Sequence, residues 1–271
     1  SEYGGIPDLS VARMDGDICF TWNGTTSGAR VPNAEWVCEN RNGLTLCDAT
    51  SAIFAQNLDW TKLDATTFSW QKVMGGEASH GIIVLSPRAI ERLESFRPNR
   101  PLPKIFRLVN DGRLIEGIFR GETINTPSML CVADALDALS WIKRIGGLKK
   151  TIERSEKNFS LLQNWLDKQA WIENVVKVEE LRSNTSVCLE IVSEEIQGLS
   201  LDKKWSFIRK MVSLLETEKA AFDICGHRSS PPGLRIWCGA TVESSDIEAL
   251  LPWLSWAYEK VLKSKHRDYN A

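Results

Sequence analysis

The chain has 271 residues, 43% of them hydrophobic and 25% charged, enough for one large or two modest domains with a substantial core. Thirty-three Lys and Arg against 35 Asp and Glu leave a formal net charge of −2, so there is no global attraction for nucleic acid or an acidic membrane, and any anion site is local. The balanced composition, without low-complexity runs, excludes a disordered or fibrous chain, and no uncharged apolar run approaches the roughly 18 residues of a spanning helix.

Between Asp17 and Ser86 the chain alternates short β-rich runs with loops. The runs Asp17 to Trp22, Gly43 to Cys47, Ala65 to Trp70 and Gly81 to Leu85 are nearly continuously apolar and β-branched, the pattern of strands covered on both faces of an α/β sheet. Ser86-Pro87 reads as N-cap and first helical residue of a helix through about Ser95. Residues Phe96 to Gly121 hold three of the ten prolines, several glycines and several arginines, and read as a long irregular excursion. Thr126-Pro127 is a second cap-and-start signal, opening a helix that ends at Gly146-Gly147, and another amphipathic helix follows from about Leu148 to Ala170.

The remainder has an α+β pattern: strand Ser186 to Val192, helix Leu201 to Lys219, strands Ala221 to Cys225 and Leu234 to Cys238, and a last helix from Ser245 to about Lys263. Pro252 inside that helix predicts a kink or a restart. A domain boundary is placed near residue 150, giving units 1–150 and 151–271. The seven cysteines are odd in number, widely spaced and mostly within apolar runs, which fits buried thiols in a reducing compartment, the cytoplasm or an organelle matrix. There is no CxxC pair and His80, His227 and His266 are scattered, so no metal site is expected.

The stretch TFSWQKVMGGEASHG, Thr67 to Gly81, carries the strongest chemical signal. Lys72 stands just past an apolar strand and before a Gly-Gly pair, where α/β sheets open their ligand crevice. A lysine there is commonly a solvated one; positioned and partly desolvated, it is a nucleophile and proton shuttle. Asp48 directly follows the run LTLC, 24 residues earlier. Alone it reads as a helix N-cap. Paired with Lys72, it has the residue types that a pyridoxal phosphate enzyme needs, an amine for the aldehyde and an acid for the pyridine nitrogen.

The segments DLSVARMDGDICFTWNGTTSG, CDATSA, TFSWQKVMGGEASHG, GETINTPSM, RSNTSVCL and GHRSSPPGLRIWCGATV together resemble the phosphoserine aminotransferase family, over about Ile6 to Trp256. The resemblance implies a fold-type I pyridoxal phosphate enzyme: part of a large domain with a mostly parallel sheet, then a smaller α+β domain. It implies Lys72 as the lysine that bonds the cofactor, Asp48 at the pyridine nitrogen and Thr25 at the ring hydroxyl. Gln71 would bind the cofactor phosphate, and Asn125 and Thr126 would reach the phosphate in the neighbouring subunit of a homodimer with shared sites. Arg235 would grip the substrate α-carboxylate, and His227 with Arg228 the substrate phosphate.

The implied reaction is amino transfer between phosphoserine and 2-oxoglutarate. Rival expectations are an alanine- or serine-glyoxylate aminotransferase, and an inactive remnant serving as a dimerising or binding subunit. A cysteine desulfurase is disfavoured, because no cysteine lies in an evident mobile, polar loop. The family's N-terminal segment, with a cofactor-phosphate loop, an aromatic that stacks on the ring and basic residues near the substrate, has no match here. The chain is therefore expected to be a fragment or a shortened version.

Overall fold

The computed structural model describes residues 2–268. Its first sheet contains β1 (Ile18–Thr21), β2 (Thr45–Asp48), β3 (Ala65–Ser69) and β4 (Gly81–Leu85), hydrogen-bonded in that order. β1, β2 and β3 run parallel and β4 returns antiparallel to β3, so the sheet is mixed and mostly parallel, as expected. The expectation of cover on both faces does not hold among the described residues. In β2, Thr45 and Cys47 are buried while Leu46 and Asp48 are exposed, and Ile82, Ile83 and Val84 of edge strand β4 are all exposed. The packing partners lie on one side, where Trp22, Ala34, Ala49, Ala52 and Leu63 cluster around Cys47. A β-branched apolar run marks strand propensity and not two-sided burial.

Asp64, next to the start of β3, pins this sheet to its surroundings. Its Oδ2 accepts from Arg41 Nη2 at 2.9 Å, Arg88 Nη1 at 3.1 Å and Thr45 N at 3.0 Å, and its Oδ1 accepts from Ser86 Oγ at 2.8 Å. Burial pushes the carboxyl pKa up, but the bonds from Thr45, Ser86 and Arg41 outweigh it and hold the group below its ordinary value.

Helix α1 (Pro87–Ser95) begins as foreseen, with Ser86 accepting from Ala89 N and proline in its first turn. The excursion that follows contains a small hairpin, β5 (Val109–Asn110) and β6 (Arg113–Leu114). Helix α2 (Met129–Ile145) starts later than expected: Ser128, not Thr126, is its N-cap and accepts from Cys131 N. Ser128 is extended, at φ −71 and ψ 107, and supplies the capping hydroxyl, so Pro127 precedes the helix instead of opening it. Gly146, at φ 114, ends α2 and α3 (Leu148–Leu166) follows.

The second sheet is antiparallel, in the order β7 (Ile172–Asn174), β8 (Ser186–Ile191), β9 (Gly233–Trp237). With α4 (Glu194–Gln197), α5 (Leu201–Thr217) and α6 (Ser244–Asp268) completing the elements, the largest core joins Leu162 and Leu166 of α3, one face of β8 and β9 through Val187, Leu189, Ile191, Leu234 and Ile236, Met211 and Leu215 of α5, and Leu254 and Ala257 of α6. Three expectations are corrected. Residues 221–225 do not form a strand: Asp223 has φ 53, which breaks the extended path and leaves only a bridge from Cys225 to Leu234. β7, only three residues long, was not foreseen. α6 passes Pro252 as one element, because fully buried Leu254 and Ala257 anchor it beyond the lost backbone bond.

Replacing Asp64 with Ala strands the nearly buried Arg41 guanidinium and is expected to cost about 3–5 kcal/mol in urea denaturation at neutral pH. Since the folded carboxyl titrates below 3.8, its ordinary value, its contribution is complete above that value and is lost as pH falls through the lower folded one. The difference between wild type and Asp64→Ala should therefore shrink in acid; a difference constant with pH would contradict the assignment.

Candidate active site

Just past β3 the chain turns sharply over residues 70–76. Trp70 and Met74 are buried against Cys131, Ala135 and Ile142 of α2, and Val73 is buried against Ala55 and Ala240. The turn closes through Gly75 N to Lys72 O and Gly76 N to Trp70 O, both 3.0 Å. Gly75 takes φ 74, and a Cβ on Gly76 would stand 2.9 Å from both Asp134 Oδ2 and Trp70 Cδ1, so the Gly-Gly pair is required by this path. With Trp70, Val73 and Met74 committed to the core, Gln71 and Lys72 are left to face the other way.

They face a cavity of about 270 Å³ lined also by Thr25, Ser186, Arg235, Trp237 and the 222–224 segment. Lys72 Nζ lies 6.0 Å from the centroid of the Trp237 ring. Burial first, and then the Arg235 guanidinium, pull the Lys72 amine below its ordinary pKa, while Asp223 acts the other way. A lysine lowered in this way has a larger neutral, nucleophilic fraction. Gln71 Oε1 is buried without a hydrogen-bond partner. An orphaned buried amide end fits a polar ligand group, and turning the amide over presents its NH₂ to an anion.

The cavity walls come from two sheets, and a buried polar network sets their docking. Asn23 Nδ2 donates to Ser51 Oγ and to Thr185 Oγ1, and Gln56 Nε2 donates to Asn23 Oδ1 and to Asn184 Oδ1, both at 2.9 Å. Asn184 Nδ2 donates to Ala55 O and to Glu156 Oε1. Ser186 Oγ donates to Thr25 O at 2.6 Å, and Tyr3 Oη donates to Thr26 O at 2.7 Å. Gly28, at φ 72, lets this turn press on β8, where a Cβ would come within 3.0 Å of Cys188 Cβ. Burial pushes the Cys188 thiol up to about 11 although Arg235 pulls it down, so it is protonated near neutrality.

Four of the nine residues singled out from the sequence thus meet in one cavity: Thr25, Gln71, Lys72 and Arg235. Asp48 stands apart from its lining. It ends β2, and because β2 and β3 are parallel it shares a sheet edge with the turn that carries Lys72. There it is exposed, its Oδ1 accepting from Thr50 N and Thr50 Oγ1. Asn125 and Thr126 are exposed ahead of α2. His227 and Arg228 occupy the turn before β9, where His227 Nδ1 accepts from Ser229 N. Sequence reasoning missed Ser186, Trp237 and the 222–224 segment. A signal existed for two of them: Trp237 shares a face with Arg235 by strand alternation, and Ser186 is its register partner on β8.

A half-buried amine beside a guanidinium, past the end of a mostly parallel sheet, is the equipment of an enzyme that handles amino and carboxylate groups. The aminotransferase class-V family model matches residues 17–229, and the chain belongs to that family. It is 49% identical over 261 residues to phosphoserine aminotransferase of Methanosarcina mazei, covering 96% of this chain and 68% of that protein. The solved structure of a phosphoserine aminotransferase from Cytophaga hutchinsonii matches with a TM-score of 0.74 at 20% identity, over 93% of this chain and 67% of that one. An alanine–glyoxylate aminotransferase from Nostoc sp. matches at 0.68 and 18%, over 88% and 60%. At such identities the structures show the shared fold, as expected from the sequence. The chain spans about two thirds of the length of the curated relative.

Asn184→Ala removes partners from both Gln56 and Glu156. It is expected to destabilise the protein by about 1–3 kcal/mol. A urea midpoint corresponding to less than about 0.5 kcal/mol would show that the network does not hold the two sheets.

Proposed function

We propose that the protein catalyses reversible amino transfer between O-phospho-L-serine and 2-oxoglutarate, giving 3-phosphohydroxypyruvate and glutamate, with pyridoxal 5′-phosphate bound through Lys72. The observation that carries this is the single cavity in which Lys72, lowered by burial, faces Arg235 beside the orphaned amide of Gln71. The 49% identity to a phosphoserine aminotransferase supports the substrate. When bound, pyridoxal phosphate supplies the electron sink for proton removal at the substrate Cα.

The chain's own residues divide the remaining work. Lys72 Nζ would take up the substrate Cα proton and pass it onward, as a general base whose neutral form is favoured by burial. Arg235 pairs with the α-carboxylate through its planar fork. Gln71 offers an amide donor and Thr25 a hydroxyl, both lining the same cavity. Asp48, on the same sheet edge, is proposed to keep the pyridine nitrogen protonated. His227 and Arg228 are proposed to bind the substrate phosphate; they directly follow the 222–224 segment that lines the cavity, which supports a reach to one end of a three-carbon substrate.

A homodimer with shared sites is proposed, with Asn125 and Thr126 reaching the partner's cofactor phosphate. Support comes from the apolar surface beside them: Met129, Leu130, Leu136 and Leu139 of α2 are all exposed. Division into units 1–150 and 151–271 is proposed on the separation of the largest core, which begins at Leu162, from the clusters around Cys47 and Trp70. Residence in the cytoplasm is proposed on the seven free thiols. No helix among the described residues is long and apolar enough to cross a membrane.

Half-reaction rates with two amino donors test the reading. Arg228→Ala should lower kcat/KM for phosphoserine roughly ten- to a hundredfold, the loss of a charged hydrogen bond of about 1.5–3 kcal/mol, and should affect glutamate less. Arg235→Ala should harm both donors, since both carry an α-carboxylate. Equal losses for both donors in Arg228→Ala would refute phosphate recognition there. A glyoxylate-linked rate exceeding the 2-oxoglutarate rate would favour the alanine–glyoxylate reading.

A further inference from the structure

The cavity holds two basic side chains, Lys72 and Arg235, and Asp223 is the one acidic residue among those lining it. Asp223 Oδ2 lies 3.8 Å from Arg235 Nη2. The two partners are unequal: the Arg235 side chain is 23% exposed, whereas that of Asp223 is 92% exposed. The guanidinium is thus held in the wall while the carboxylate reaches it from solvent. Asp223 also has φ 53, in the left-handed region that Asp tolerates better than most side chains, where the expected 221–225 strand is broken. Exposed Phe222 precedes it at the mouth.

We propose that Asp223 is a positioning residue that acts as a removable counter-ion, occupying Arg235 until the carboxylate of a substrate displaces it. An incoming carboxylate then exchanges one ion pair for another instead of gaining a new one. This limits affinity for the carboxylate end and eases its release. The same acid opposes the effect of Arg235 on Lys72. Arg235 from β9 and Asp223 from the 222–224 segment are the charged groups acting on the lysine, and Gln71, Thr25, Ser186 and Trp237 complete the walls without charge. Removing the Asp223 charge leaves two cations together, so Lys72 gives up its proton more readily. Naming the displacing anion as the substrate α-carboxylate rests on the function proposed above; the effect on Lys72 does not.

The test labels Lys72 with an amine reagent in protein free of added cofactor, follows the rate by peptide mass across pH, and compares wild type with Asp223→Asn and Asp223→Gly. Both replacements suit a left-handed backbone, so both should fold. Both should move the labelling midpoint to lower pH and speed labelling near pH 8 roughly two- to fivefold at low salt, a gain that narrows at 1 M salt. The concentration of 2-oxoglutarate that half-protects Lys72 should fall by a similar factor. An unchanged midpoint in Asp223→Asn, or a change in Asp223→Gly alone, would overturn the inference, the latter by assigning the effect to the backbone. A midpoint shift in a protein that never takes up pyridoxal phosphate would leave this inference standing and remove the proposed function instead.

Discussion

The buried network of Asn23, Ser51, Gln56, Asn184 and Thr185 is the constraint on which the rest of the structure depends. Amide and hydroxyl groups without water must find partners at fixed distances and angles, so the network is satisfied in one docking of the two sheets and penalised in others. The first sheet and its loops carry Thr25, Gln71 and Lys72; the second carries Ser186, Arg235 and Trp237. The cavity exists only between them. A purely apolar contact would hold the sheets together with equal strength and far less directional control.

The chemistry of the cavity follows from that docking. Lys72 is anchored from behind by Trp70, Val73 and Met74, so its position depends on core packing and not on a mobile loop. Its amine is partly withdrawn from water and placed near another cation, and both circumstances favour the neutral form. Arg235 cannot lose its charge and so serves as the lasting anion anchor. Neighbouring thiols stay out of the chemistry because burial keeps them protonated: Cys47 and Cys238 are pushed up to about 12. The disfavoured desulfurase reading therefore gains no support from Cys188, which is buried next to the site.

Much of this arrangement was legible in the sequence, for local reasons. Strands β1 to β4 announce themselves as β-branched apolar runs, and α1 by its Ser-Pro start. Lys72 could be placed because a strand run and a Gly-Gly turn bracket it. What was not legible depended on tertiary context or on very short elements. β7 has three residues and no periodicity to detect. The 221–225 run has strand composition, but Asp223 takes a left-handed conformation that composition does not reveal. The α2 cap falls on Ser128 where Thr126 was expected, because both hydroxyl residues flank Pro127 and nothing local in the sequence selects between them. Asp48, Asn125, Thr126, His227 and Arg228 are recognisable as motif residues, yet none lines the cavity that gathers Lys72 and Arg235.

The central claim is that Lys72 is the amine that binds the cofactor carbonyl. The most direct measurement is to incubate the protein with pyridoxal 5′-phosphate, reduce with borohydride, and map the modified peptide by mass. The account predicts one phosphopyridoxyl group per chain, on Lys72, and none in Lys72→Ala. Modification spread over several lysines, or retained in Lys72→Ala, would contradict it.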